Sequence, residues 1–225
     1  VKIYQAFYDD SQKREMFDTL TPLDTRGLNI PLLEYDIFRH LRHEGDFGVV
    51  SWKFLRKTWL INWEYLAREK LKEYDAVIIN PFPGISAISY NCWDSHQPLK
   101  RLTKVDTEVP MHKMAFCSYI LAKKPWWDKY FDFIDSQLAD LHPDALNKSG
   151  YWRNSEITNV PFLIERWLNY CLDGAYVWEY PKEHFVWKFG DDRLYNLQAI
   201  KFTPEWYTER DRIDFTKIAS LDDRN

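Results

Sequence analysis

Apolar positions recur along the chain with two periods, and the order in which those periods follow one another predicts a fold class. Ile3, Tyr4, Phe7 and Tyr8 make residues 2–8 a β-rich stretch that stops at the polar run Asp9-Asp10-Ser11-Gln12, which predicts a strand running into a loop. After a polar stretch containing Pro22 and Gly27, Leu33, Ile37 and Leu41 recur at a helical interval over 31–43. Pro31 falls in the first turn of this helix and Gly45 just past its end. Residues 47–54 return to a strand pattern, and Trp63, Leu66, Leu71 and Tyr74 predict a helix over 63–74. That helix feeds Asp75-Ala76-Val77-Ile78-Ile79-Asn80, a buried-strand pattern that ends at a polar Asn-Pro. Parallel neighbours need a crossover, for which a helix is the usual solution, so this alternation predicts an α/β fold whose central sheet is mostly parallel and flanked by helices.

The second half departs from that rhythm. Residues 81–110 form a polar and aromatic connection with Pro83, Gly84 and Pro98, too long for a passive link, and read as an active-site loop. A strand follows over 114–122, then an amphipathic helix over 125–141 through Trp127, Phe131, Ile134, Leu138 and Leu141. Leu163, Ile164, Trp167, Leu168 and Cys171 predict a helix over 161–172, and 176–180 a short strand. The charged end, 205–225, reads as a docked or frayed tail.

Composition narrows the class. A net charge of −4 argues against a protein that holds nucleic acid through overall positive charge. Three cysteines, Cys92, Cys117 and Cys171, with no CxxC pair, argue against a disulfide framework and against zinc spacing. That cysteine usage makes a reducing, cytoplasmic setting the expectation; no run is long enough to span a membrane and there is no signal-like apolar block, while the first residue is Val, which leaves a trimmed leader open. The outlier is aromatic content, 17%, which suits a large core and also suits stacking on sugars or nucleobases.

Polar groups just beyond an apolar strand are where an open α/β sheet presents its ligand. On that ground Asn80 and the loop residues Trp93, Asp94 and His96 are candidates, Asp94 and His96 as a proton acceptor and Trp93 as a sugar platform. The bland alternatives are a helix cap for Asp94, a surface position for His96 and core packing for Trp93. Gln5, Phe7 and Tyr8 close the first strand, and Trp52 and Lys53 close the next; a ring there can stack and an ammonium can meet a phosphate. Strand alternation would send Trp52 and Lys53 to opposite faces unless the strand has already ended. Glu165 lies in an apolar helix, where a carboxylate must be paired or neutral, and adjacent Arg166 is expected on another face.

The succession of an opening strand, a helix bearing Asn29 and Glu34, the Phe47–Phe54 strand pattern, Tyr74-Asp75 with its apolar strand, the 114–122 strand, and Phe162-Leu163-Ile164-Glu165-Arg166 after Pro125-Trp126-Trp127 resembles bacterial glycosyltransferase domains that build capsular and lipopolysaccharide O-antigen chains. The resemblance covers roughly residues 1–175 and implies a GT-A-like fold. It implies one domain over 1–225: a nucleotide-binding half (1–81), an acceptor-side half (82–180) and a C-terminal tail (181–225). It implies transfer from a nucleotide-sugar to a glycan or lipid-linked acceptor, without nucleic acid and at the inner face of the membrane where the acceptor is lipid-linked. Asp94, His96 and Glu165 would then be catalytic, Gln5, Phe7, Tyr8, Trp52, Lys53 and Asn80 would bind the donor, and Trp93 and Arg166 the acceptor. The chain departs from the family where an Asp-x-Asp pair would hold a divalent ion, since Ile79-Asn80-Pro81 stands there. That implies metal-independent transfer or an inactive relative, and Lys53, Arg56, Lys57 or Arg166 would aid the departing diphosphate. The rival readings are a non-catalytic carbohydrate-binding module of the same fold and a glycoside hydrolase, which would need two facing carboxylates.

Overall fold

The computed structural model describes residues 1–54, 63–80, 118–148 and 157–179. Its strands are β1 (Lys2–Phe7), β2 (Thr21–Asp24), β3 (Phe47–Ser51), β4 (Ala76–Asn80), β5 (Ile120–Ala122) and β6 (Ala175–Glu179), and its helices are α1 (Glu34–His40), α2 (Trp63–Glu73), α3 (Lys124–Ala139) and α4 (Val160–Trp167). All six strands join one sheet in the order β2, β1, β3, β5, β4, β6. Strand β1 is parallel to β2 and β3, and β4 is parallel to β6, whereas β5 runs antiparallel to both β3 and β4.

The α/β class is therefore present, with a mixed sheet in which β5 alone opposes the five strands that run the same way. The reason lies in the register. Ile120, which opens β5, stands opposite Ile78 near the end of β4, so the chain re-enters the sheet at the edge where it left. A strand that starts at that edge runs backwards and needs no crossover helix.

Strand β2 has no counterpart in the periodicity. Thr21-Pro22-Leu23-Asp24 is short and carries a proline, which cannot donate to a ladder; it is accommodated because β2 is an edge strand. The predicted 114–122 strand begins within the described residues only at Ile120, and residues 114–117 lie outside them. The helix expected over 161–172 ends at Trp167 and tightens into a 3₁₀ turn, Leu168–Tyr170.

Burial explains the continuous apolar run of β4. Ala76, Val77, Ile78 and Ile79 are all fully buried, because both faces of the strand are covered. Ala76 and Ile78 pack with α1, α3 and α4, while Val77 and Ile79 pack with Trp63, Ala67 and Leu71 of α2. The heavier layer is aromatic. Trp127 of α3 stacks on Phe47 with ring centroids 4.4 Å apart, and its indole N–H donates to the Phe47 carbonyl at 3.0 Å. Burying each such ring contributes about 3 kcal/mol before entropy is counted. Gly48, in the same strand, passes so close to β5 that a Cβ there would lie 2.6 Å from Leu121 Cγ. Among the described residues no helix is long and apolar enough to cross a membrane.

Candidate functional site

Five strands end at one edge of the sheet. Phe7 is level with Asp24, Ala6 with Ser51, and Asn80 with Glu179, so the chain following β1, β2, β3, β4 and β6 emerges along a common rim. Between β1 and β3 the direction of travel reverses. From β1 the chain passes to β2 on one side, and then crosses to β3 on the other. Such a switch point opens a crevice outside the carboxyl ends of the two strands.

Tyr8 and Trp52 stand at that point. Their rings meet edge to face, centroids 6.3 Å apart and planes at 80°. Tyr8 is 57% exposed and Trp52 partly buried, so the pair presents aromatic surface outward. The ladder between the strands continues one step past β3, because the Trp52 N–H donates to the Ala6 carbonyl at 2.9 Å. Strand β3 ends at Ser51, the case in which alternation no longer separates Trp52 from Lys53, and Lys53 Nζ lies 5.1 Å from the centre of the Trp52 ring. A partly exposed ring pair beside an ammonium can stack on a flat or apolar ligand face and meet an anion next to it.

The other two donor candidates on β1 take supporting roles. Gln5 is fully buried, and its side-chain carbonyl accepts from the Phe17 N–H at 2.8 Å while its amide nitrogen donates to the Glu15 carbonyl at 3.3 Å. It ties the segment after β1 to the sheet. Phe7 is buried as well, with Lys13 Nζ 5.2 Å and Arg26 Cζ 5.9 Å from its ring centre, so its face is covered by protein cations. Those cations are held by the rim's own acids. Arg26 Nε donates to Asp24 at 2.9 Å and Arg26 Nη1 to Asp10 at 3.1 Å, and Lys13 lies 2.9 Å from Asp10. The guanidinium holds the Asp24 carboxyl down to about 2, and Lys13 together with Arg26 lowers that of Asp10.

The centre of the rim carries a polar contact that periodicity did not single out. Ser51 Oγ and the Tyr119 hydroxyl are 3.0 Å apart, joining the end of β3 to the residue before β5, and the Tyr119 carbonyl accepts from the Ile79 N–H at 2.9 Å. Ser118, immediately before, adopts a φ of +43°, a left-handed conformation that costs a non-glycine residue about 1 kcal/mol. A serine closing an apolar strand is the only signal the sequence carried for this group.

Glu165 and Arg166 belong to α4. Arg166 is buried, its Nη1 donating to the Phe162 carbonyl of its own helix and standing 3.8 Å from Glu165 Oε2. The expectation that these neighbours face apart is corrected: the long guanidinium arm folds back along the helix and reaches the adjacent carboxylate. These contacts tie Arg166 to its own helix.

Asn80 ends β4 on the same rim, three strand positions from β1, which at ordinary inter-strand spacing is about 14 Å. An amide at that strand end does not fit a metal held by two carboxylates, and among the described residues no group of three His, Cys, Asp or Glu side chains is arranged to hold one. Trp93, Asp94 and His96 lie outside the described residues, as do Arg56 and Lys57. No family model matches the chain, and no curated protein or solved structure matches it.

Proposed function

We propose that the chain is a GT-A-like glycosyltransferase that moves a sugar from a nucleotide-sugar donor to a glycan or lipid-linked glycan acceptor in surface polysaccharide biosynthesis, of capsule or lipopolysaccharide type. The observation that carries this reading is the outward-facing Tyr8 and Trp52 pair, with Lys53 beside it, at the switch point of an α/β sheet. The rings suit a nucleobase and the ammonium suits a diphosphate. A rim running about 14 Å further to Asn80 suits an extended ligand with a base at one end and a sugar at the other.

In the transfer, the bond between the anomeric carbon and the diphosphate oxygen breaks, its electron pair leaving with the nucleoside diphosphate. The acceptor oxygen bonds to that carbon and gives up its proton. Lys53 offsets negative charge growing on the leaving group, and Asp94 and His96 are the sequence candidates for taking the proton.

Asn80 in place of a carboxylate pair favours a second reading, a carbohydrate-binding or assembly module that keeps the fold without transferring. The test begins with melting temperature against a panel of nucleotides and nucleotide-sugars, since a ligand that binds only the native state raises it. Product analysis with glycan acceptors, with and without divalent ions, follows. A shift with one diphosphonucleoside series and a new glycoside supports transfer; a shift without product under any metal condition supports the module. No shift with any nucleotide sinks both the transferase and its donor site.

A further inference from the structure

We infer that Gln12 is a positioning residue for Tyr8: its side-chain carbonyl fixes the backbone from which the Tyr8 ring meets Trp52. In its consequence for ligand binding the inference rests on the function proposed above. Tyr8 is 57% exposed, so burial in the core does not orient its ring. Strand β1 has ended at Phe7, whose carbonyl accepts from both the N–H and the hydroxyl of Thr25, at 2.9 and 3.0 Å. The next backbone group is the Tyr8 N–H, which donates to Gln12 Oε1 at 2.9 Å. The Asp9 N–H converges on the same oxygen at 3.3 Å, and the Asp9 carboxylate in turn accepts from the Ser11 N–H at 2.7 Å.

This is a reciprocal cap on the 3₁₀ turn Asp10–Glu15, and it places the chain's exit from β1 under the control of one glutamine. Gln12 is itself 6% exposed, so its arm is held by packing and does not swing with solvent. A cap alone would need only the Asp9 N–H. The shorter bond goes instead to Tyr8, the residue that bears the ring. Removing the acceptor frees the backbone at position 8 and, with it, the edge-to-face approach to Trp52, while the strands beneath keep their ladders.

The experiment uses the full chain labelled with 3-fluorotyrosine, in which the Tyr8 resonance is assigned by its loss in Y8F and the ring-current displacement due to Trp52 by its loss in W52L. Gln12→Met keeps the volume and removes the acceptor; Gln12→Glu restores an acceptor. The expected result is that Q12M abolishes the Trp52-dependent displacement and Q12E retains it. Should Q12M fail to fold, Gln12→Asn, whose arm is too short to reach the Tyr8 N–H, gives the same readout. A second arm measures affinity for whichever of UDP, GDP, ADP and CDP raises the wild-type melting temperature most. There Q12M weakens binding about tenfold, as expected for a misplaced contact, and Q12E stays within about twofold.

A Tyr8 resonance unchanged in Q12M overturns the inference whether or not any nucleotide binds. A changed resonance with unaltered affinity overturns its consequence for the ligand. If the wild-type chain binds no member of the nucleotide and nucleotide-sugar panel, the proposed function fails, and the fluorine arm alone decides the role of Gln12.

Discussion

Tyr35 donates its phenolic hydrogen to Asp135 at 2.7 Å and thereby joins α1 to α3 across the more heavily covered face of the sheet. The Tyr35 ring is almost wholly buried, with Tyr130 5.9 Å and Phe131 6.0 Å away between centroids. Burial, and then the neighbouring carboxylate, push the phenol far above its ordinary range, so it stays a neutral donor at any working pH. Tyr35→Phe keeps the ring and deletes the bond, leaving Asp135 without it. Hydrogen bonds to charged groups contribute about 1.5 kcal/mol or somewhat more, which in a chain of this length lowers the melting temperature by about 5 °C. A melting curve for Y35F superimposed on that of the wild type would show that water replaces the phenol at no cost.

Gly48 tests the insertion of β5. A Cβ at this position would stand 2.6 Å from Leu121 Cγ and 3.2 Å from Leu121 Cα, and the second of these is backbone that cannot swing aside. Gly48→Ala therefore forces β3 and β5 apart and is expected to destabilise by about 2 kcal/mol, against the usual gain from adding a methyl group to a strand. Chemical denaturation measures it. Equal or greater stability in G48A would mean that β5 does not lie against β3 in this register.

The contrast between β4 and β5 explains how much of this fold was legible. Val77, Ile78 and Ile79 read as a buried strand because both faces of β4 are covered, and Trp127, Phe131 and Ile134 read as a helix because only one face of α3 is. Periodicity reports such burial directly. It reports nothing about direction, so the antiparallel course of β5 could not be read from Ile120, Leu121 and Ala122, and it misses a strand as short as β2 with Pro22 inside it. The site divides in the same way. Tyr8, Trp52 and Lys53 were legible as residues at strand ends, which is a matter of chain position. Gln5 was placed correctly along the chain but not inside it, because a buried glutamine amide satisfied by backbone groups has the same sequence signature as one awaiting a ligand. Ser51 and Tyr119 are 68 residues apart, and only the tertiary fold brings their hydroxyls together.

The acidic rim near β2 gives a pH dependence with a defined sign. Asp24, bound by Arg26, has its folded-state carboxyl lowered to about 2, beneath the ordinary value of about 3.9 that it takes in the unfolded chain. The folded state therefore prefers the ionised form. The stability contributed by the pair is fully present above about pH 4 and is lost as pH falls from there toward 2. Comparing melting temperatures of the wild type and Asp24→Asn through this window isolates the effect: the wild type is ahead at pH 5, and the two converge at pH 2. A difference that stays constant over the whole range would mean that the Asp24 and Arg26 pair, which is open to solvent, contributes nothing through ionisation.

Lys53 and Trp52 offer a way to take the proposed donor site apart chemically. If the ring meets the base and the ammonium the diphosphate, Trp52→Leu weakens a nucleoside and its diphosphate alike, whereas Lys53→Met weakens only the diphosphate. Base stacking on an aromatic side chain is typically worth 1 to 3 kcal/mol, so W52L is expected to cost about tenfold in affinity or more for both ligands. The Lys53 contribution has a second mark. Raising ionic strength screens a partly exposed ion pair but not a stacked base, so salt narrows the gap between the wild type and K53M for the diphosphate and leaves the W52L deficit in place. Calorimetric titration of both variants with both ligands at low and high salt gives eight comparisons with the wild type, each with a stated expectation. A W52L variant that binds the nucleoside as tightly as the wild type would remove the base from this pair of rings and leave Trp52 as packing for Lys53 and Tyr8.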